Sequence, residues 1–135
     1  MNHTAIRDEI RKRVVTAASI TAVSELKLQG QDFDSSGKSF WVEEHLIGGS
    51  ERAMTNLRNK VSSYLVQYDL CCPVGTSMDT LETKGALIET ALMGASFTVG
   101  GTDCTVTQVK LTRTEGKLRN VLSVLLTTAL QFTGS

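Results

Sequence analysis

Proline is almost missing from this 135-residue chain: Pro73 stands alone, so no Pro-rich linker or disordered tract divides it. Net charge is missing too, with 14 basic residues against 14 acidic ones. That removes the overall electrostatic footprint of a nucleic-acid binder, and with it a common protection against self-association. Aromatic residues make up only 5%, too few to interleave with cations as a stacking platform for bases. There is no long hydrophobic run of the kind that spans a bilayer. The first residues carry Arg7, Asp8 and Glu9 where a secretory signal needs an apolar stretch, so a soluble, cytoplasm-made protein without a signal peptide is expected. Three cysteines, Cys71, Cys72 and Cys104, form neither a disulfide framework nor a CxxC pair. Neighbours on a strand point to opposite faces, so Cys71 and Cys72 cannot share a metal, and buried thiols are the expected state.

Chemistry is equally sparse. The two histidines, His3 and His45, sit in no nucleophile or acid–base motif, and GxSxG, P-loop and GxGxxG patterns are absent. Glu43 and Glu44 are adjacent on a predicted strand, so they face apart and cannot act as a carboxylate pair. The sharpest local match is Asp32-Phe33-Asp34-Ser35-Ser36-Gly37 with Glu43 at the twelfth position, the spacing of a calcium loop. Calcium loops lie between helices, and Phe40-Trp41-Val42 reads as strand. An Asx-rich turn is therefore the expected reading, with a calcium-binding module kept as an alternative. Neither an enzyme, nor a cofactor, nor a metal site is expected.

What the chain does have is a clear order of elements. Ile6, Ile10 and Val14, extended by Ala17, mark a helix over Thr4 to Ala18. Its face of Arg7, Asp8, Arg11 and Lys12 is expected to meet solvent or a partner. Val23, Leu26 and Leu28 allow a short edge strand, followed by a turn-rich loop from Gln29 to Ser39. A strand over Phe40 to Ile47 alternates Phe40, Val42 and Leu46 against Trp41, Glu43 and His45. A second, Val61 to Val74, places Tyr64, Val66, Tyr68, Leu70 and Cys72 on one face and Ser63, Gln67 and Asp69 on the other. Between them Gly48 to Lys60 reads as a long polar hairpin tip. Thr76 to Met93 reads as a helix, capped by Thr76 or Ser77. Its buried stripe is Met78, Leu81, Leu87, Ile88, Ala91 and Leu92, with Gly85 for close packing and Gly94 at the end. Phe97 to Val99, a Gly100-Gly101 turn, and strands over Cys104 to Arg113 and Leu118 to Phe132 complete the pattern. The last strand carries Leu118, Leu122, Val124, Leu126, Leu130 and Phe132 on one face and Arg119, Ser123, Thr127 and Gln131 on the other. The predicted fold is a single α+β domain over residues 1–135: a mixed, mainly antiparallel sheet with two helices packed on it and a long-tipped β-hairpin.

A leading helix, a loop carrying Asp32-Phe33, a strand entering as Phe40-Trp41-Val42 and a long-tipped hairpin come in order. A helix after Pro73-Val74-Gly75 and a closing hairpin follow. In this layout the chain resembles the tail terminator proteins of long-tailed bacteriophages, the lambda-type minor tail proteins. The resemblance covers nearly the whole chain and rests on architecture, not on a diagnostic motif. It implies a structural virion protein that caps the tail tube as a hexameric ring, stops tube polymerisation and offers a joining surface to the head. The implied partners are copies of itself, the tail tube protein and a head–tail connector protein, with DNA passing through the lumen unread and no membrane. The implied location is the virion tail or neck, after assembly in the host cytoplasm. A head–tail connector or neck protein is the alternative. For the interface, loop length and composition single out Arg52, Arg58 and Lys60 for polar contacts and Met54 and Leu57 as apolar anchors. Asp32 and Asp34 are a second candidate patch.

Overall fold

The computed structural model describes residues 3–28, 30, 33–53 and 60–132 of the chain. Helix α1 (His3–Ala18) is followed by a single helical turn, α2 (Ala22–Glu25), and a two-residue strand, β1 (Leu26–Lys27). A hairpin of β2 (Trp41–Ala53) and β3 (Lys60–Pro73) comes next, then helix α3 (Asp79–Leu92). Strands β4 (Ser96–Val99), β5 (Thr102–Glu115) and β6 (Arg119–Phe132) close the chain. All six strands form one sheet in the order β1-β2-β3-β6-β5-β4. Only β1 and β2 run parallel, so the sheet is mixed and mainly antiparallel, as expected.

Both long helices lie on one face of this sheet. Alternation along β3 sends Tyr64, Val66, Tyr68, Leu70 and Cys72 into the core, and β6 adds Leu122, Val124, Leu126 and Leu130. From the helical side come Ile6, Ile10, Val14 and Ala18 of α1 with Leu81, Ile88 and Leu92 of α3. Each such aliphatic side chain contributes about 1.5–3 kcal/mol when fully buried. Close approach of α3 depends on Gly85, where a Cβ would stand 2.6 Å from Leu122 Cδ2. Lys84 ties the two helices together by donating from Nζ to the Ala18 carbonyl at the end of α1, 2.6 Å away. The Gly100-Gly101 turn is present, both glycines at positive φ of 53° and 82°.

Several expectations are corrected. The hairpin tip is much shorter than Gly48 to Lys60: residues 48–53 continue β2, and the ladder runs to Ala53 opposite Lys60. A bulge falls at Ile47, since the register shifts between Leu46 and Gly48 and leaves Ile47 exposed, while Gly48 and Gly49 pair with Leu65 and Tyr64. In the first helix Ala18, not Ala17, completes the buried stripe. In α3, Leu87 is 47% exposed and Ala91 is exposed, so neither belongs to the core face. Neither Thr76 nor Ser77 is the N-cap of this helix: Met78 holds that position without a side-chain cap bond, and Ser77 Oγ accepts from the Asp79 amide at 3.1 Å one residue before it. Leu118 precedes β6 and is 91% exposed. A second bulge, between Val106 and Gln108, lets Val106 and Val109 both face inward although three residues apart.

The least expected core feature is charged. Glu44 follows Val42 on the inward phase of β2 and is 2% exposed. Arg11 of α1 meets it in a fork, Nη2 to Oε1 at 2.6 Å and Nε to Oε2 at 2.8 Å, and the buried Tyr68 hydroxyl donates to Oε2 at 2.7 Å. Arg11 is thus a structural partner and not part of a free charged face. The hydrogen bond to Glu44 is the main cause that holds its guanidinium pKa above the ordinary value, against the opposing effect of burial. Removing one member of a buried pair strands the other. Arg11→Met is expected to cost about 3 kcal/mol in denaturant unfolding. The double variant Arg11→Met/Glu44→Leu should recover much of that loss; no recovery would contradict the pairing.

Candidate functional site

Neither α1 nor α3 lies on the opposite face of the sheet. Where β2, β3 and β6 run side by side, alternation brings Trp41, Glu43 and His45 of β2 next to Gln67 and Asp69 of β3 and to Arg119 and Ser123 of β6. Glu43 is directly across from Asp69, and His45 from Gln67. Asp69 is in turn across from Ser123. Two carboxylates directly opposite one another repel, so the arrangement requires nearby cations or donors.

Those donors are present and are divided unequally between the oxygens. Trp41 Nε1 donates to Glu43 Oε2 at 3.1 Å, and Arg119 Nη1 pairs with the same oxygen. Gln67 Nε2 and Ser123 Oγ both donate to Asp69 Oδ1, each at 2.8 Å. The remaining oxygens approach one ring nitrogen. His45 Nε2 lies 3.2 Å from Asp69 Oδ2 and 3.6 Å from Glu43 Oε1. Each of the three residues offers an atom within 4.8 Å of the others, and these atom types ligate divalent metals. The cluster is not a hydrolase triad, because Ser123 Oγ bonds to the aspartate and not to the imidazole.

Burial would push the Glu43 carboxyl up. Hydrogen bonds from Trp41 and Arg119 outweigh it, aided by the charges of Arg119 and Lys27, and its pKa is lowered overall. Burial is also the main cause that raises the Cys71 thiol to about 12, with Glu43 and Asp69 adding to it. Cys104 is raised to about 11 by burial and by Asp103. All three cysteines are free and buried, as expected of structural thiols.

The residues singled out from the sequence are not brought together as one patch. Arg52 pairs with Val61 and Lys60 with Ala53 inside the ladder, while Met54, Leu57 and Arg58 lie outside the described residues, as does Asp32. Asp34 is exposed and accepts from the Ser36 amide at 2.9 Å, which lowers its pKa. That is the expected Asx turn. Glu43, the twelfth residue of the calcium-loop pattern, is committed to Arg119 and Trp41. The polar cluster itself was missed, because Glu43 and Asp69 meet only through the register of the hairpin.

The sheet also ends in two unlike open edges. β1 covers β2 only at Val42 and Glu43, so residues 48–53 of β2 have no strand on their outer side among the described residues. β4 covers β5 only from Thr102 to Thr105, which leaves Gln108 to Glu115 without an outer strand among the described residues.

No family model and no curated protein matches the chain. Among the solved structures that match, one superposes with a TM-score of 0.72 at 18% identity, over 100% of this chain and 99% of that one. The likeness shows the fold, an α+β unit traced from end to end, and nothing of activity.

The Glu43 environment makes a pH-dependent prediction. A carboxyl with a depressed folded pKa adds stability above its unfolded value, and that stability is lost as pH falls through the folded value. The stability gap between wild type and Arg119→Met should therefore narrow as pH drops below about 4.3, the ordinary glutamate value. Urea midpoints across that range measure it, and a gap independent of pH would contradict the pairing.

Proposed function

We propose that this chain is a non-enzymatic structural subunit that closes into a ring, in the manner of a tail terminator capping a bacteriophage tail tube. The observation that carries the reading is the pair of unlike open edges at opposite ends of one sheet. A ring needs heterologous contacts, two different surfaces that fit each other on successive copies. Residues 48–53 of β2 and Gln108 to Glu115 of β5 suit that requirement, since neither has an outer strand among the described residues. Lys110 on the β5 edge is exposed and Arg113 pairs with Glu82 of α3, charges that discourage promiscuous edge pairing by a free subunit. Zero net charge limits repulsion among copies packed around a ring. The layout shared with tail terminators supports the finer reading: six copies, seated on the tube protein, with a head–tail connector as the partner above.

Purified chain mixed with tail tubes and viewed by negative-stain electron microscopy tests this. Rings on tube ends and arrested tube growth are expected; a monomer indifferent to tubes would contradict it. Replacing residues 54–59 by Asn-Gly should leave the fold intact, because Ala53 and Lys60 already pair across the gap, and should abolish tube binding. Normal capping by that variant would remove the hairpin tip from the interface.

A further inference from the structure

We propose that Glu43, His45 and Asp69 form a binding site for a divalent transition-metal ion, zinc foremost, that bridges β2 and β3 on the face opposite α1 and α3. The ligand atoms are Glu43 Oε1, His45 Nε2 and Asp69 Oδ2. In a tetrahedral site with bonds of about 2.0–2.1 Å, ligand atoms stand roughly 3.4 Å apart. The imidazole nitrogen lies 3.2 Å and 3.6 Å from the two carboxylate oxygens, close to that spacing before any ion draws them in. Each of the three residues offers a ligand atom within 4.8 Å of the other two.

Groups outside the three ligands orient them. Each carboxylate is held by its far oxygen: Oε2 of Glu43 by Trp41 and Arg119, Oδ1 of Asp69 by Gln67 and Ser123. Four side chains on three strands thus orient two carboxylates while leaving the oxygens that face His45 clear of those donors. Metal sites use such outer partners to aim their ligands and fix their lone pairs. Trp41 is buried, and the cluster is anchored in the middle of the sheet, so the ligands are held on rigid strands. Charge fits as well. The charges of Arg119 and Lys27 bear on Glu43 and keep its carboxylate ionised, the form in which it ligates a dication. A nitrogen among the donors favours zinc, nickel or copper over calcium or magnesium, which prefer oxygen alone. The His45 side chain is 37% exposed, which opens the fourth position to water and provides a way in. Because β2 and β3 flank the hairpin, the ion would clamp the base of the arm that carries the open β2 edge. The inference does not depend on the assembly reading.

Zinc titrated into the full chain by calorimetry, with cobalt as a spectroscopic probe, tests it. Expected are one ion per chain, a cobalt spectrum without a sulfur-to-metal charge-transfer band, and a melting temperature that rises with zinc. In His45→Ala affinity should fall on the order of 100-fold or more and the melting shift should vanish. His45 is partly exposed, so this variant should keep its circular dichroism and cooperative melting. His45→Gln gives a second, size-conserving check with the same expected loss. His3→Ala should bind as the wild type does. Zinc binding that survives both His45 substitutions, binding lost with His3, a sulfur band from the cysteines, or no binding at all would each overturn the site.

Discussion

One charged junction fastens the helical layer to the sheet: the Arg11 guanidinium of α1 forked onto the Glu44 carboxylate, with Tyr68 closing the third contact. Three polar groups that would each be costly to bury alone satisfy one another there. The junction also sets the phase of β2. With Glu44 turned inward beside Val42, strand alternation turns Trp41, Glu43 and His45 outward, since a one-residue slip would exchange the two faces. Two adjacent glutamates therefore do unlike work. One joins layers inside the core, and the other organises the polar cluster outside it.

Long regular stretches were legible in the sequence. The alternation of β3 and β6, the Gly100-Gly101 turn and the packing role of Gly85 all follow from local periodicity, and the structure bears them out. What was not legible is where periodicity is broken or where distant segments meet. Gly48-Gly49-Ser50 has the composition of a turn, yet all three pair in the ladder, and the break in register falls one residue earlier, at Ile47. The Thr107 bulge likewise hides Val109, whose burial contradicts simple alternation from Val106. Leu87 and Ala91 extend the apolar stripe of α3 beyond the width the sheet can cover. Arg11 and Glu44 are 33 residues apart, and no local pattern pairs them. A signal did exist: Glu44 sits on the apolar phase of its strand, a position that demands a buried cation. For the site, Glu43 and Asp69 become neighbours only once the hairpin register is known. Any strand pairing that aligned Val42 with Leu70 would have disclosed them.

The three features of the sheet belong together. Helices on one face supply the core and leave the other face to Glu43, His45 and Asp69. The short covering strands β1 and β4 stop early and leave two edges open. Burial is thus completed within the chain, while backbone pairing at the two edges is not, among the described residues. On the proposed reading, a sheet finished on its faces and open at its edges is extended by further copies of itself.

Hydrogen–deuterium exchange of the free and assembled protein tests that claim most directly. The outward-facing, alternate amides of residues 48–53 and 108–115 should exchange quickly in the free chain and become protected together on assembly, while β6 stays protected throughout. Assembly without added protection in either edge, or with protection confined to the exposed faces of α1 and α3, would contradict the account.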